Sequence, residues 1–309
     1  MAVLKAFGAY LPARIVTNVE LGAKLGRTPD WILDVSGIEE RRYACAAESV
    51  ADMGLAAARD CLDRAGIRPA EVGLLLVSSG SMERRFPGPA ASIASRLGIG
   101  AAPAIDLPIA SAGSLFGMSI AAALTARHGN VLVVAAEKMS AVVEREPMDQ
   151  GIAILFGDGA GACLIAPGDG PPQIVDSVLH SDGSFAEDLR LEFDAPLAMN
   201  GRSVIMQASR KIPGVIQEVL ERNQTTAAEV KIFLMHQANQ NLIDRVARAL
   251  DVESARFYSN IRRYGNTSSA SMLIAASEWW RDAGPASGDS ICFATFGAGF
   301  HWGAALVRA

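Results

Sequence analysis

The sequence predicts an α/β fold of two duplicated βαβ-type halves, stacked in a layered α/β/α/β/α arrangement. Three observations carry that prediction. Strand-like apolar runs alternate with helical segments along the 309 residues. Those runs, at 73–77, 131–135, 232–235 and 291–295, are continuous rather than alternating, so both faces of each strand are buried. And the chain repeats itself: AEVGLLLVSS at 70–79 returns as AEVKIFLMHQ at 228–237, and GNVLVVAAEK at 129–138 returns as GDSICFATFG at 288–297, at offsets of 158 and 159. A constant offset across several elements marks an internal duplication.

Taken in order, the first half runs from the helix AAARDCLDRAGI through the strand at 73–77 and the helix PAASIASRLGI to the strand at 131–135. PGDGPP at 167–172 breaks the pattern and is the natural joint. The second half repeats the order with VIQEVLERNQT, the strand at 232–235, NLIDRVARALDV and the strand at 291–295. The expected halves are 1–165 and 166–309. Both-face burial points to a mostly parallel sheet covered by helices.

Composition removes several classes of function. Half of the residues are apolar, enough for a large core. The net charge is −5 and no Lys/Arg block stands out, Arg262-Arg263 being too short to count as one, which argues against nucleic acid as a partner. Cys45, Cys61, Cys163 and Cys292 lie far apart with no CxxC pair, so neither a metal site nor a disulfide framework is expected, and a reducing cytoplasm fits. The N-terminal segment lacks a signal-peptide pattern, and the uncharged stretch at 107–126 reads as a buried helix, not a membrane span.

Three polar residues stand at junctions where chemistry is favoured. Ser111, in AIDLPIASAGSLFGM, separates a strand-like segment from a long Ala-rich helix. Helix N-terminal N–H groups favour developing negative charge there, which suits a nucleophile attacking a carbonyl; a plain helix cap is the competing reading. His236 follows the strand at 232–235 directly, at a carboxyl end where α/β proteins bind ligands. Asn266, in YGNTSSASM, precedes the helix that matches the one after Ser111, so the repeat pairs Asn266 with Ser111. The other histidines, His128, His180 and His301, have weaker positions. GDGAG at 157–161 and FGAGF at 296–300 lack phosphate-loop or dinucleotide spacing.

Together these segments resemble the ketoacyl-ACP synthase III family of the thiolase superfamily. GAYLPARIVTN, DWILDVSGIEERR, FGDGAGA, HQAN, GNTSSAS and FGAGFHWGAALV occur in family order from end to end. The resemblance implies a thiolase fold and an acyl-transferring, condensing enzyme. Ser111 falls on the family's nucleophilic cysteine, with ASAG in place of ACAG. His236 and Asn266 fall on the pair that hydrogen-bonds a thioester carbonyl. The N–H groups of Ser111 and Ala298 fall on the oxyanion hole, and Phe86 and Phe296 on the acyl pocket, with Phe86 reaching a partner subunit and so implying a homodimer. Trp31 falls on the residue that stacks on the CoA adenine.

Departures from the family pattern matter equally. Val35 and Gln150 stand where two CoA-binding arginines are expected. Asn241 replaces a carrier-docking arginine, for which Arg245 and Arg248 on the same helix are substitutes. A serine, unlike a cysteine, needs a base, here His236. The expected activity is transfer of an acyl group from acyl-CoA or an acyl carrier protein to Ser111, followed by condensation with a malonyl-type unit or passage to an acceptor, in fatty acid-like or polyketide starter-unit biosynthesis. No cofactor beyond the thioester is implied. A cysteine enzyme whose nucleophile has been exchanged for serine, and a non-catalytic partner subunit, are the alternatives.

Overall fold

The computed structural model describes residues 1–309. The first half contains β1 (Ala2–Tyr10), β2 (Arg14–Thr17), α1 (Asn18–Leu25), α2 (Pro29–Ser36), β3 (Glu40–Tyr43), α3 (Val50–Ala65), β4 (Val72–Ser78), α4 (Pro89–Leu97), β5 (Ala104–Leu107), α5 (Gly113–His128), β6 (Asn130–Glu137), α6 (Ser140–Val143), α7 (Gln150–Ala153) and β7 (Gly159–Pro167). The second contains β8 (Gln173–Ser181), β9 (Leu189–Arg190), β10 (Ala198–Met199), α8 (Gly201–Arg222), β11 (Val230–Met235), α9 (Gln240–Ala249), α10 (Ile261–Tyr264), α11 (Ser271–Asp282), β12 (Ser290–Gly297) and β13 (His301–Arg308).

Local sequence explains the boundaries. Ser49 and Asp52 form a reciprocal capping box at the start of α3. Thr28 accepts from the Trp31 N–H and Pro29 opens α2, while Gly37 ends it at φ 74°. The repeat seen in the sequence is a repeat of structure: β4 matches β11, β6 matches β12, and α5 matches α11.

Nine strands form one hydrogen-bonded sheet in the order β11-β12-β13-β8-β1-β7-β6-β4-β5. The half-sheets join through Ala2↔Ile174 and Val3↔Gln173, between β1 and β8, and the Leu4 N–H donates to the Pro172 carbonyl beside them at 2.9 Å. On the first half-sheet, α3 covers the outer face; α5 and α11 lie between the half-sheets; α8 covers the outer face of the second. The layers are therefore α/β/α/β/α. Leu74, Leu76, Val131 and Val133 point inward to Leu115 and Met118 of α5 and share a core with Leu234, Ile291 and Phe293. Their neighbours Leu75, Val77, Leu132 and Val134 point outward to Leu55 and Cys61 of α3.

The sheet is mixed rather than mostly parallel. Only β4–β5, β4–β6 and β11–β12 are parallel. β7 and β13 return antiparallel beside β6 and β12. Burial on both faces comes from the helices above and below each half-sheet, and that requirement is indifferent to strand direction. The second half also lacks a counterpart of β5. A single parallel bridge, Phe233↔Phe257, stands in its place, with the two rings stacked 4.5 Å apart. The uncharged stretch at 107–126 supplies most of α5, and no helix is long and apolar enough to cross a membrane.

Phe293 lies on the inner face of β12, fully buried, its ring 6.0 Å from that of Phe7 on β1. Truncation there opens a cavity between the two halves. Phe293→Ala is expected to lower unfolding free energy by about 3–5 kcal/mol in guanidinium titrations, whereas Val19→Ala, at a position 69% exposed, changes it by less than about 0.5 kcal/mol.

Candidate active site

Ser111 occupies the elbow between β5 and α5 in a left-handed conformation, φ 61°, which costs a non-glycine residue roughly 1–3 kcal/mol. Two contacts hold it. Gly297, the last residue of β12, packs so closely that a Cβ there would lie 2.9 Å from the Ser111 Cβ and 2.7 Å from the Ala112 nitrogen. The Ser111 N–H donates to Ser268 Oγ at 3.1 Å, and the Ser268 hydroxyl donates in turn to Glu137 at 2.9 Å. Glu137 ends β6, is fully buried, and forms no ion pair. Its carboxylate accepts instead from Gly80 N–H (3.0 Å), Ser81 Oγ (2.6 Å), Ser79 Oγ (3.3 Å), Ser269 Oγ (2.6 Å) and Ser269 N–H (3.3 Å).

His236 is 4% exposed, and its N–H donates to the Ala294 carbonyl of β12 at 2.9 Å. Its ring Nδ1 lies 2.6 Å from Ser271 Oγ. Burial pushes the imidazole pKa down to about 4, so the ring is neutral near pH 7. Asn266 is pinned by backbone bonds to Leu155 and Gly157, and its Oδ1 accepts from the Ser268 N–H at 2.9 Å. That bond fixes the amide so that Nδ2 is the free end.

Ser111, His236 and Asn266 line one cavity of about 100 Å³, walled by apolar side chains including Phe156, Leu189, Val204 and Phe296. A second, smaller cavity of about 60 Å³ is bounded by Met139, Leu191, Leu197 and Ala298. Ser111, Phe156 and Leu189 line both. A serine hydroxyl, a neutral imidazole and an amide donor thus meet beside two apolar cavities, a concave setting of the kind that takes small ligands.

Known proteins agree with that geometry. Residues 105–183 match the family model of 3-oxoacyl-[acyl-carrier-protein] synthase III, and residues 220–309 match its C-terminal model. A beta-ketoacyl-[acyl-carrier-protein] synthase III of Acidiphilium cryptum is 35% identical, covering 99% of this chain and 98% of its own. The chain belongs to the beta-ketoacyl-[acyl-carrier-protein] synthase III family. The 3-oxoacyl-[acyl-carrier-protein] synthase III structure from Aquifex aeolicus superimposes with a TM-score of 0.96 at 32% identity over all of both chains. The priming beta-ketosynthase of the R1128 polyketide pathway superimposes with a TM-score of 0.93 at 32% identity, over 100% of this chain and 96% of that one. The fold is the thiolase fold of these condensing enzymes.

Within that family site, the remaining sequence-predicted residues fall in three places. Phe296 lines the first cavity and Ala298 the second. The Ala298 N–H makes no hydrogen bond within the protein, whereas the Ser111 N–H already serves Ser268. Phe86 lines neither cavity and stands 85% exposed on the loop between β4 and α4. Trp31 is half-buried on α2, whose Val35 carbonyl accepts from Asn239 and Asn241 at the start of α9. The Arg27 guanidinium lies 4.7 Å over the Trp31 ring and donates to Gln150 at 2.9 Å. Arg245 and Arg248 are exposed on α9 and form no ion pair.

The pairing of Asn266 with Ser111 shifts by two residues. Ser268, not Asn266, shares the left-handed conformation, at φ 47° before α11, and it touches Ser111 directly. The repeat located the loop correctly; the conformation, set by Glu137, decides the register. Sequence reading did not single out Ser268, Ser271 or Glu137. Their only trace is the dense serine run TSSAS and a lone acid ending the apolar run VLVVAAE. No cysteine lines either cavity: Cys61, Cys163 and Cys292 are core residues, and Cys45 is exposed elsewhere.

The depressed His236 pKa gives a signed expectation. Between about 6.5 and about 4 the unfolded chain binds a proton at His236 that the folded chain refuses. Stability from this residue is therefore present above 6.5 and is lost as pH falls towards 4. Imidazole proton NMR is expected to place the His236 midpoint near 4, and urea midpoints of His236→Gln are expected to decline less than those of the parent chain across that window.

Proposed function

We propose that this chain takes an acyl group from a thioester onto Ser111 and then condenses it with a malonyl-type unit or passes it to an acceptor. The observation that carries this reading is the convergence of Ser111, His236 and Asn266 on one cavity that contains no cysteine. The neutral His236 is suited to accept the serine proton, and Asn266 Nδ2 and the Ala298 N–H are the free donors for carbonyl oxygens. Retention of both His236 and Asn266 supports condensation beyond simple transfer. The resemblance to a priming ketosynthase of a polyketide pathway supports a starter-unit role.

An acyl carrier protein is the proposed principal donor. Arg27 already covers a face of Trp31, and Val35 and Gln150 add no cation around that ring, while Arg245 and Arg248 stand exposed and unpaired on α9. Phe86, exposed near the open edge strand β5, supports a homodimer in which it enters the partner's acyl pocket.

Intact-mass spectrometry after exposure to short-chain acyl-CoA and acyl-carrier donors is expected to show one added acyl group per chain, faster from the carrier. Ser111→Ala is expected to abolish the adduct. His236→Ala is expected to slow its formation by about 10²–10⁴-fold. A full adduct or full turnover in Ser111→Ala would overturn the reading.

A further inference from the structure

We propose that Ser271 is a positioning residue that holds His236 in the Nδ1–H tautomer, leaving Nε2 as the bare base for Ser111. The proposal rests on the reading of Ser111 as nucleophile and adds to it the state of its base.

The argument is one of hydrogen-bond supply. Ser271 opens α11 and is 2% exposed, so water does not complete its bonding. Its hydroxyl has one proton and two lone pairs. Three groups surround the oxygen: the Gln237 N–H at 3.1 Å, the Ser268 carbonyl at 3.0 Å and His236 Nδ1 at 2.6 Å. The Gln237 N–H can only donate, and the Ser268 carbonyl can only accept. The Ser271 proton therefore goes to Ser268, one lone pair takes Gln237, and the other is left for Nδ1. A lone pair is met only by an N–H, so Nδ1 carries the proton. The reverse arrangement, with the hydroxyl turned to Nδ1, gives up the Ser268 bond and leaves a lone pair unmet in a buried site. Nε2, by contrast, makes no hydrogen bond within the protein and is the ring nitrogen left to the cavity that His236 lines.

This tautomer is suited to acylation. As Ser111 Oγ forms its bond to the thioester carbonyl carbon, the hydroxyl proton moves to Nε2. When the carbon–sulfur bond breaks, the departing thiolate takes that proton and leaves as a thiol. Nδ1 keeps its own proton throughout, so the cycle closes without a tautomer change. The same state offers no Nε2–H to a malonyl thioester, so Asn266 is the one free side-chain donor for that step.

The test combines a direct reading of the tautomer with kinetics. In ¹⁵N-histidine-labelled protein near neutral pH, His236 is expected to show a pyrrole-type Nδ1 and a pyridine-type Nε2; a protonated Nε2 would overturn the proposal. Ser271→Ala is expected to slow acylation of Ser111 by about tenfold or more, with little change in the donor KM, and Ser271→Thr, which keeps the hydroxyl, is expected to recover most of the rate. Acylation by folded Ser271→Ala at the parent rate would also refute it. If the parent chain takes no acyl group at Ser111, the nucleophile reading fails, while the ¹⁵N spectrum still decides the tautomer.

Discussion

The site depends on one buried carboxylate. Glu137 lies at the carboxyl end of β6 with no cation beside it, and a fully buried charge is tolerated only when its oxygens are filled by donors. Those donors come from both halves of the chain: the 79–81 loop after β4 and the 268–269 loop before α11. Satisfying Glu137 therefore fixes the two loops relative to each other. Because Ser268 spends its proton on Glu137, its lone pair is presented to the Ser111 N–H. The carboxylate thus reaches the Ser111 elbow through one hydroxyl, and the position of Ser111 follows from an electrostatic demand of its neighbour.

This arrangement explains which features the sequence made legible. The duplicated halves, the layers and the strand runs were readable because burial leaves a periodic trace: Leu74 and Leu76 face one way, Leu75 and Val77 the other. Strand direction left no such trace, since antiparallel β7 is as thoroughly covered as parallel β6. Ser111, His236 and Asn266 were readable because each stands where a regular element ends, and family motifs then brought them together. Glu137, Ser268 and Ser271 were not. Their roles arise from hydrogen bonds between residues up to 157 apart, and such bonds impose no spacing within either partner's own segment.

A serine at the elbow changes what the surroundings must supply. A thiol there is converted to a thiolate by a helix N-terminus and nearby donors. A hydroxyl is not, and in the proposed role it would pass its proton on as it attacks. His236 is available for that because burial keeps it neutral. The strained conformation of Ser111 is sustained by its rigid surroundings, with Gly297 on one side and Ser268 on the other. Neutrality and strain have a common origin in the buried, over-determined interface between the halves.

The missing fifth strand of the second half has a consequence for assembly. At one end of the nine-stranded sheet, β11 is covered by the single bridge to Phe257, whereas at the other end β5 is bare, with Ile105 45% exposed. Two bare ends would let copies add at both sides without limit, the geometry of a fibre. With one, any pairing of copies through this sheet would stop at two. Loss of symmetry inside the chain thus leaves it one open sheet edge instead of two.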